Sequence, residues 1–104
     1  HVDDAVAVVR WLLDNPKVSG IFNVGTGEAR SFRAMIEAMF AAMGRKPNIE
    51  YIDMPVSIRD SYQYFTQADM TNLRRAGYNA AFAPLEQAVA QYVTRYLDSA
   101  DPYR

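Results

Sequence analysis

At 104 residues with half of them hydrophobic, the chain can build one modest core, and disorder is excluded. Eleven lysines and arginines against twelve acids leave a formal charge of -1, with no basic stripe of the kind that nucleic-acid binding requires. Cysteine is absent and His1 is the sole histidine, which excludes disulfides, thiolate metal sites and imidazole clusters. The longest apolar runs, such as 5–9, are too short to span a bilayer, and no secretory leader precedes them. The expectation is a cytoplasmic protein with no membrane partner.

His1 and Val2 lead straight into a helix pattern without an initiator methionine, so the chain reads as a segment of something longer. Residues 3–14 are apolar at Ala5, Val6, Val8, Val9, Trp11, Leu12 and Leu13, with Asp3, Arg10 and Asp14 on one narrow face. This predicts a mostly buried helix with a single wet edge. Asn15-Pro16 ends it, because the residue before proline is pushed out of the helical region. After the Ser19-Gly20 turn, Ile21-Phe22-Asn23-Val24 reads as a short buried strand.

Gly25-Thr26-Gly27 forms a turn, and Ser31 is placed to cap a helix running to Met43, with Gly44 as its stop. Phe32, Ile36, Met39, Phe40 and Met43 make its core face, and Arg33 and Glu37 form an exposed pair four apart. Residues 49–54 read as a second strand closed by Pro55. A third helix is predicted over 68–76, capped by Thr66 or Gln67 and stopped by Gly77. The last opens at Pro84 and stacks Leu85, Ala88, Val89, Tyr92, Tyr96 and Leu97 on one side; residues 101–104 form a tail. No repeat or linker divides the chain, so 1–104 is read as one α+β unit with too few strands for a free-standing doubly wound sheet.

Three features invite chemistry. Gly25-Thr26-Gly27 between a strand and a helix suggests a dinucleotide turn, but Arg30 stands where a small residue is needed, and the structural reading of a tight turn is preferred. Asp3 and Asp4 are accounted for by the positive end of a helix dipole. Between Arg59 and Gln67 the chain collects Tyr62, Gln63 and Thr66, residues suited to a polar ligand: Arg59 to a diphosphate, Tyr62 to a sugar or base, Gln63 and Gln67 to hydroxyls. The residues alone leave a second reading open, a solvated loop anchored to the core by Tyr64 and Phe65.

The order and spacing of His1-Val2-Asp3-Asp4-Ala5, of Ile21 through Gly27 leading to Ser31-Phe32, and of Ala68-Asp69 through Gly77-Tyr78 resemble the C-terminal third of extended short-chain dehydrogenase/reductase nucleotide-sugar enzymes. Within that family, Ile49-Glu50-Tyr51-Ile52, Tyr62-Gln63 and Phe65-Thr66-Gln67-Ala68-Asp69 resemble the ADP-glyceromanno-heptose 6-epimerase branch. The resemblance implies a C-terminal substrate-binding region whose Rossmann core, with its NADP site and catalytic YxxxK pair, lies outside these residues. It implies an ADP-sugar substrate, inversion at heptose C6 by transient oxidation and reduction in lipopolysaccharide inner-core synthesis, and a homo-oligomer. The chain alone is expected to be inactive.

By the same resemblance Tyr62 is the substrate-contacting tyrosine, with Gln63, Thr66 and Gln67 around it. Ser61 stands where a basic residue can precede that tyrosine, and Arg59 lies two positions earlier. Asn23 and His1 match structural positions. Two other readings stay open: a sibling epimerase, dehydratase or reductase, and a non-enzymatic binding or oligomerisation module.

Overall fold

The computed structural model describes residues 1–101. In chain order they form α1 (Val2–Asp14), α2 (Phe32–Ala42), a short α3 (Val56–Arg59), α4 (Thr71–Arg75) and α5 (Leu85–Tyr92), the last running on into a π-helical turn at Val93–Leu97. The sequence does not signal α3, and of the expected tail, residues 102–104 lie outside the described residues.

Local chemistry sets the helix ends. His1 caps α1 by accepting the Asp3 amide at Nδ1 (3.3 Å), and Asn15 closes it with its backbone N–H on Leu12 O. Ser31 Oγ accepts the Ala34 amide (3.1 Å) at the start of α2, and Gly44 follows its end with a φ of +64°. The expected Arg33–Glu37 pair forms at 2.7 Å. The third predicted helix is shorter than its pattern: it starts at Thr71, not Ala68, because Asp69, rather than Thr66 or Gln67, takes the Thr71 amide (2.9 Å). Gly77, at a φ of +109°, ends that turn where a residue with a Cβ would be strained.

The expected α+β class is corrected on one point: among the described residues there is no strand. Residues 21–24 and 49–54 run as irregular backbone, with Ile21, Tyr51 and Ile52 among the most exposed apolar side chains. A strand exists only beside a hydrogen-bonding neighbour, and neither segment has one among the described residues.

The core is small. Val8, Leu73 and Tyr78 are buried together, with Trp11, Leu12, Phe22, Met70 and Phe82 packed around them. Trp11 meets Tyr78 edge-on at 5.5 Å. Arg74 lies over both Tyr78 and Phe82 and donates to the carbonyls of Tyr78 (2.8 Å) and Ala80 (2.7 Å), tying the chain after α4 to that helix. A second layer forms where α2 packs on α5, around Ala38 and Val93.

Helix α1 is not mostly buried, contrary to its pattern: Val8 alone is fully enclosed, and Val2, Val6, Val9 and Leu13 are each at least half exposed. At 100° per residue these four fall on one stripe, separate from the face that carries Val8, Trp11 and Leu12. Phe32 and Met43 of α2 are likewise exposed rather than in a core.

Candidate functional site

Segment 62–66 runs without regular structure opposite the loop 29–32 that leads into α2. The two enclose an open cavity of about 460 Å³, lined on one side by Tyr62, Gln63 and Thr66 and on the other by Arg30 and Phe32. Tyr62 is partly exposed and braced edge-on by Tyr64 (centroids 5.2 Å apart, planes at 70°). The Tyr64 hydroxyl in turn lies 3.8 Å from Met54 Sδ. Two aromatic rings thus stiffen a segment that has no backbone ladder. Tyr64 and Phe65 are largely exposed, so the reading in which they anchor the loop to the core is corrected: the core cluster around Leu73 contains neither.

The four predicted site residues separate into three places. Tyr62 and Gln63 share the cavity. Gln67 lines a neighbouring open cavity of about 760 Å³ beside Asp69, Thr71 and Arg75, and Phe65 borders both. Arg59 borders neither of these cavities; its guanidinium turns back to donate to Met54 O (3.1 Å), because α3 folds residues 56–59 into a helical turn that brings the side chain back to the irregular segment preceding it.

The cation that does line the Tyr62 cavity is Arg30, which sequence reasoning treats only as a misfit in a glycine motif. Its guanidinium forms a two-pronged ion pair with Glu86 in the first turn of α5. Hydrogen bonding to Arg30 holds the Glu86 carboxyl below its ordinary value, and Glu86 holds the Arg30 guanidinium above its own. Phe32 was assigned to a core face by helical spacing, and its exposure was not legible from that spacing. The departure of Arg30 from the small residue of the glycine motif was the available signal.

Other sequence candidates prove structural. Both Asp4 carboxylate oxygens accept the Ala83 amide at 3.3 Å, joining α1 to the segment before α5, and Asp3 lies 3.8 Å from Arg95. Asn23 donates to Asp69 O (3.2 Å). A Cβ on Gly25 would come within 3.0 Å of Ala68 Cβ, and one on Gly27, at a φ of +74°, within 3.0 Å of Met70 Cγ. These glycines serve the close approach of residues 68–70. The Glu28 amide is already bonded to Thr26 Oγ1 (3.2 Å), so this turn does not fit a dinucleotide phosphate.

No helix among the described residues is long and apolar enough to cross a membrane. No protein-family model matches the chain. Over 103 residues, 99% of its length, it is 53% identical to a protein of Nitratidesulfovibrio vulgaris strain Hildenborough named ADP-L-glycero-D-manno-heptose-6-epimerase, and covers 32% of that protein. It is 45% identical over 98 residues, 94% of its length, to a protein of the same name from Alkalilimnicola ehrlichii, covering 30% of it. The chain therefore spans about a third of the length of the curated relatives it matches. The resemblance read from its motifs holds: over nearly its whole length the chain is homologous to part of proteins named ADP-L-glycero-D-manno-heptose-6-epimerase.

Proposed function

We propose that this chain is the C-terminal, substrate-binding part of an NADP-dependent ADP-glyceromanno-heptose 6-epimerase that acts in lipopolysaccharide inner-core precursor synthesis in the cytoplasm, as a homo-oligomer. The observation that carries the reading is the 53% identity across 99% of the chain, which leaves little of it free to serve a different fold or task. NADP and the proton-transfer residues belong to a Rossmann domain outside these residues. The glycine turn here is filled by Ala68 and Met70, and no step is assigned to the cofactor on this side.

What this chain contributes is recognition. The Tyr62 ring offers an apolar face and a hydroxyl that can donate or accept, and Gln63 offers both amide functions to sugar hydroxyls. Gln67 stands one cavity further along the same segment, and Arg59, exposed and with most of its five donors uncommitted, is the proposed contact for the diphosphate. A ligand crossing from one cavity to the other would pass Phe65, which borders both.

In the full-length enzyme, Tyr62→Ala is expected to lower kcat/KM for the ADP-heptose by about tenfold or more, the loss of one well-placed contact, while NADP binding followed by fluorescence is unchanged. Turnover equal to wild type would remove Tyr62 from the site. Preferential turnover of a UDP-, GDP- or dTDP-sugar by the wild type would move the chain to a sibling activity.

A further inference from the structure

Arg30, which lines the Tyr62 cavity, pairs with Glu86, 56 positions away in sequence and outside the cavity lining. Glu86 sits in the first turn of α5, which packs on α2, so its backbone belongs to the packed helix pair. Arg30 sits on irregular backbone one residue before the α2 cap. The ion pair therefore ties a loop to a scaffold, and that loop is one wall of the cavity.

We propose that the Arg30–Glu86 pair is a latch that positions the Ala29–Arg30 part of the wall opposite Tyr62 and so sets the width of the substrate cavity there; this rests on the substrate-binding reading above. Magnitude separates the latch from a stability device. Exposed ion pairs contribute little to folding, and both partners here are substantially exposed, so breaking the pair leaves the fold standing. Ser31 and Phe32 are placed by the start of α2, whereas the backbone of Ala29 and Arg30 just before it is irregular, and where it runs depends on where Arg30 is held. Misplacement of a binding wall by a fraction of an ångström weakens ligand binding without touching the reacting groups. Arg30 acts through the wall it carries, as a positioning residue.

The test is steady-state kinetics of the full-length enzyme with the ADP-heptose, beside thermal melts. Arg30→Ala is expected to raise KM about two- to fivefold, with kcat within about twofold and the melting temperature nearly unchanged. The double variant Arg30→Glu with Glu86→Arg, which rebuilds the pair with reversed charge, is expected to return KM toward wild type. An unchanged KM in Arg30→Ala, with the wild type active on ADP-heptose, would overturn the latch and leave the epimerase reading intact. A raised KM that the charge swap fails to restore would make Arg30 a direct ligand contact and also overturn it. A wild type inactive on ADP-heptose but active on another nucleotide-sugar would overturn the epimerase reading, and the same two variants would then be read with that substrate.

Discussion

Gly27 shows how a residue of a cofactor-like motif can prove architectural. Its φ of +74° belongs to the left-handed region, and Met70 occupies the space a Cβ would need. Gly27→Ala in the full-length protein is expected to cost about 1–2 kcal/mol from backbone conformation, with a further loss if Met70 cannot move; a denaturant midpoint equal to wild type would show that Met70 yields freely and the turn relaxes. Arg30 is the converse case. It departs from a glycine motif, and the departure places a cation at the Tyr62 cavity, held there by Glu86. Arg59 and Tyr62 are neighbours in sequence, yet the turn of α3 sends the arginine to Met54 O and leaves the tyrosine at the cavity.

Helix ends were legible where one side chain meets the amides of its own first turn. Ser31 caps α2 as its pattern predicts, because the interaction spans three residues and needs nothing from elsewhere. The start of α4 was misjudged since Asp69 competes for the same task, and its carboxylate is the stronger acceptor. Two carboxyls are held below their ordinary values: Asp69 by the Thr71 side chain and then the Thr71 amide, and Glu86 chiefly by Arg30. Depressed carboxyls contribute stability that is fully present above their unfolded values and lost as pH falls through the folded ones. Melts of the full-length protein on acidification below about pH 4 should therefore show a steeper fall for wild type than for Asp69→Asn, while Glu86→Gln, whose pair is exposed, should track wild type closely. An Asp69→Asn profile parallel to wild type would mean that the Asp69–Thr71 bond does not survive in solution.

For the whole molecule, the radius of gyration is 17.1 Å and the extents are 49 × 40 × 20 Å, against about 13 Å for a self-contained domain of 100 residues. Among the described residues, the buried apolar side chains are Val8, Ala38, Leu73, Tyr78 and Val93 alone. Exposed apolar stripes such as Val2, Val6, Val9 and Leu13 on α1 are the kind of contiguous surface that a packing partner covers. The proposed cover is the remaining two thirds of the enzyme. The isolated chain is accordingly expected to bind a hydrophobic fluorescent dye and to melt broadly; a sharp, cooperative melt of a dye-negative monomer would contradict this.

The sequence by itself determined the helices of strong period, the Ser31 cap and the Arg33–Glu37 pair, because each rests on residues within a few positions of one another, and the family resemblance, because motifs spread along the chain keep their order and spacing. Tertiary structure decided what depends on distant partners. Whether Ile21-Phe22-Asn23-Val24 becomes a strand depends on a neighbour to pair with, and which face of α1 is buried depends on what stands beside it. That Arg30 and not Arg59 reaches the Tyr62 cavity depends on the turn of α3, which carries Arg59 back to Met54 O, and on residues 29–32 lying opposite 62–66. Spacing along a chain reports local geometry, whereas burial and pairing are properties of what packs against it.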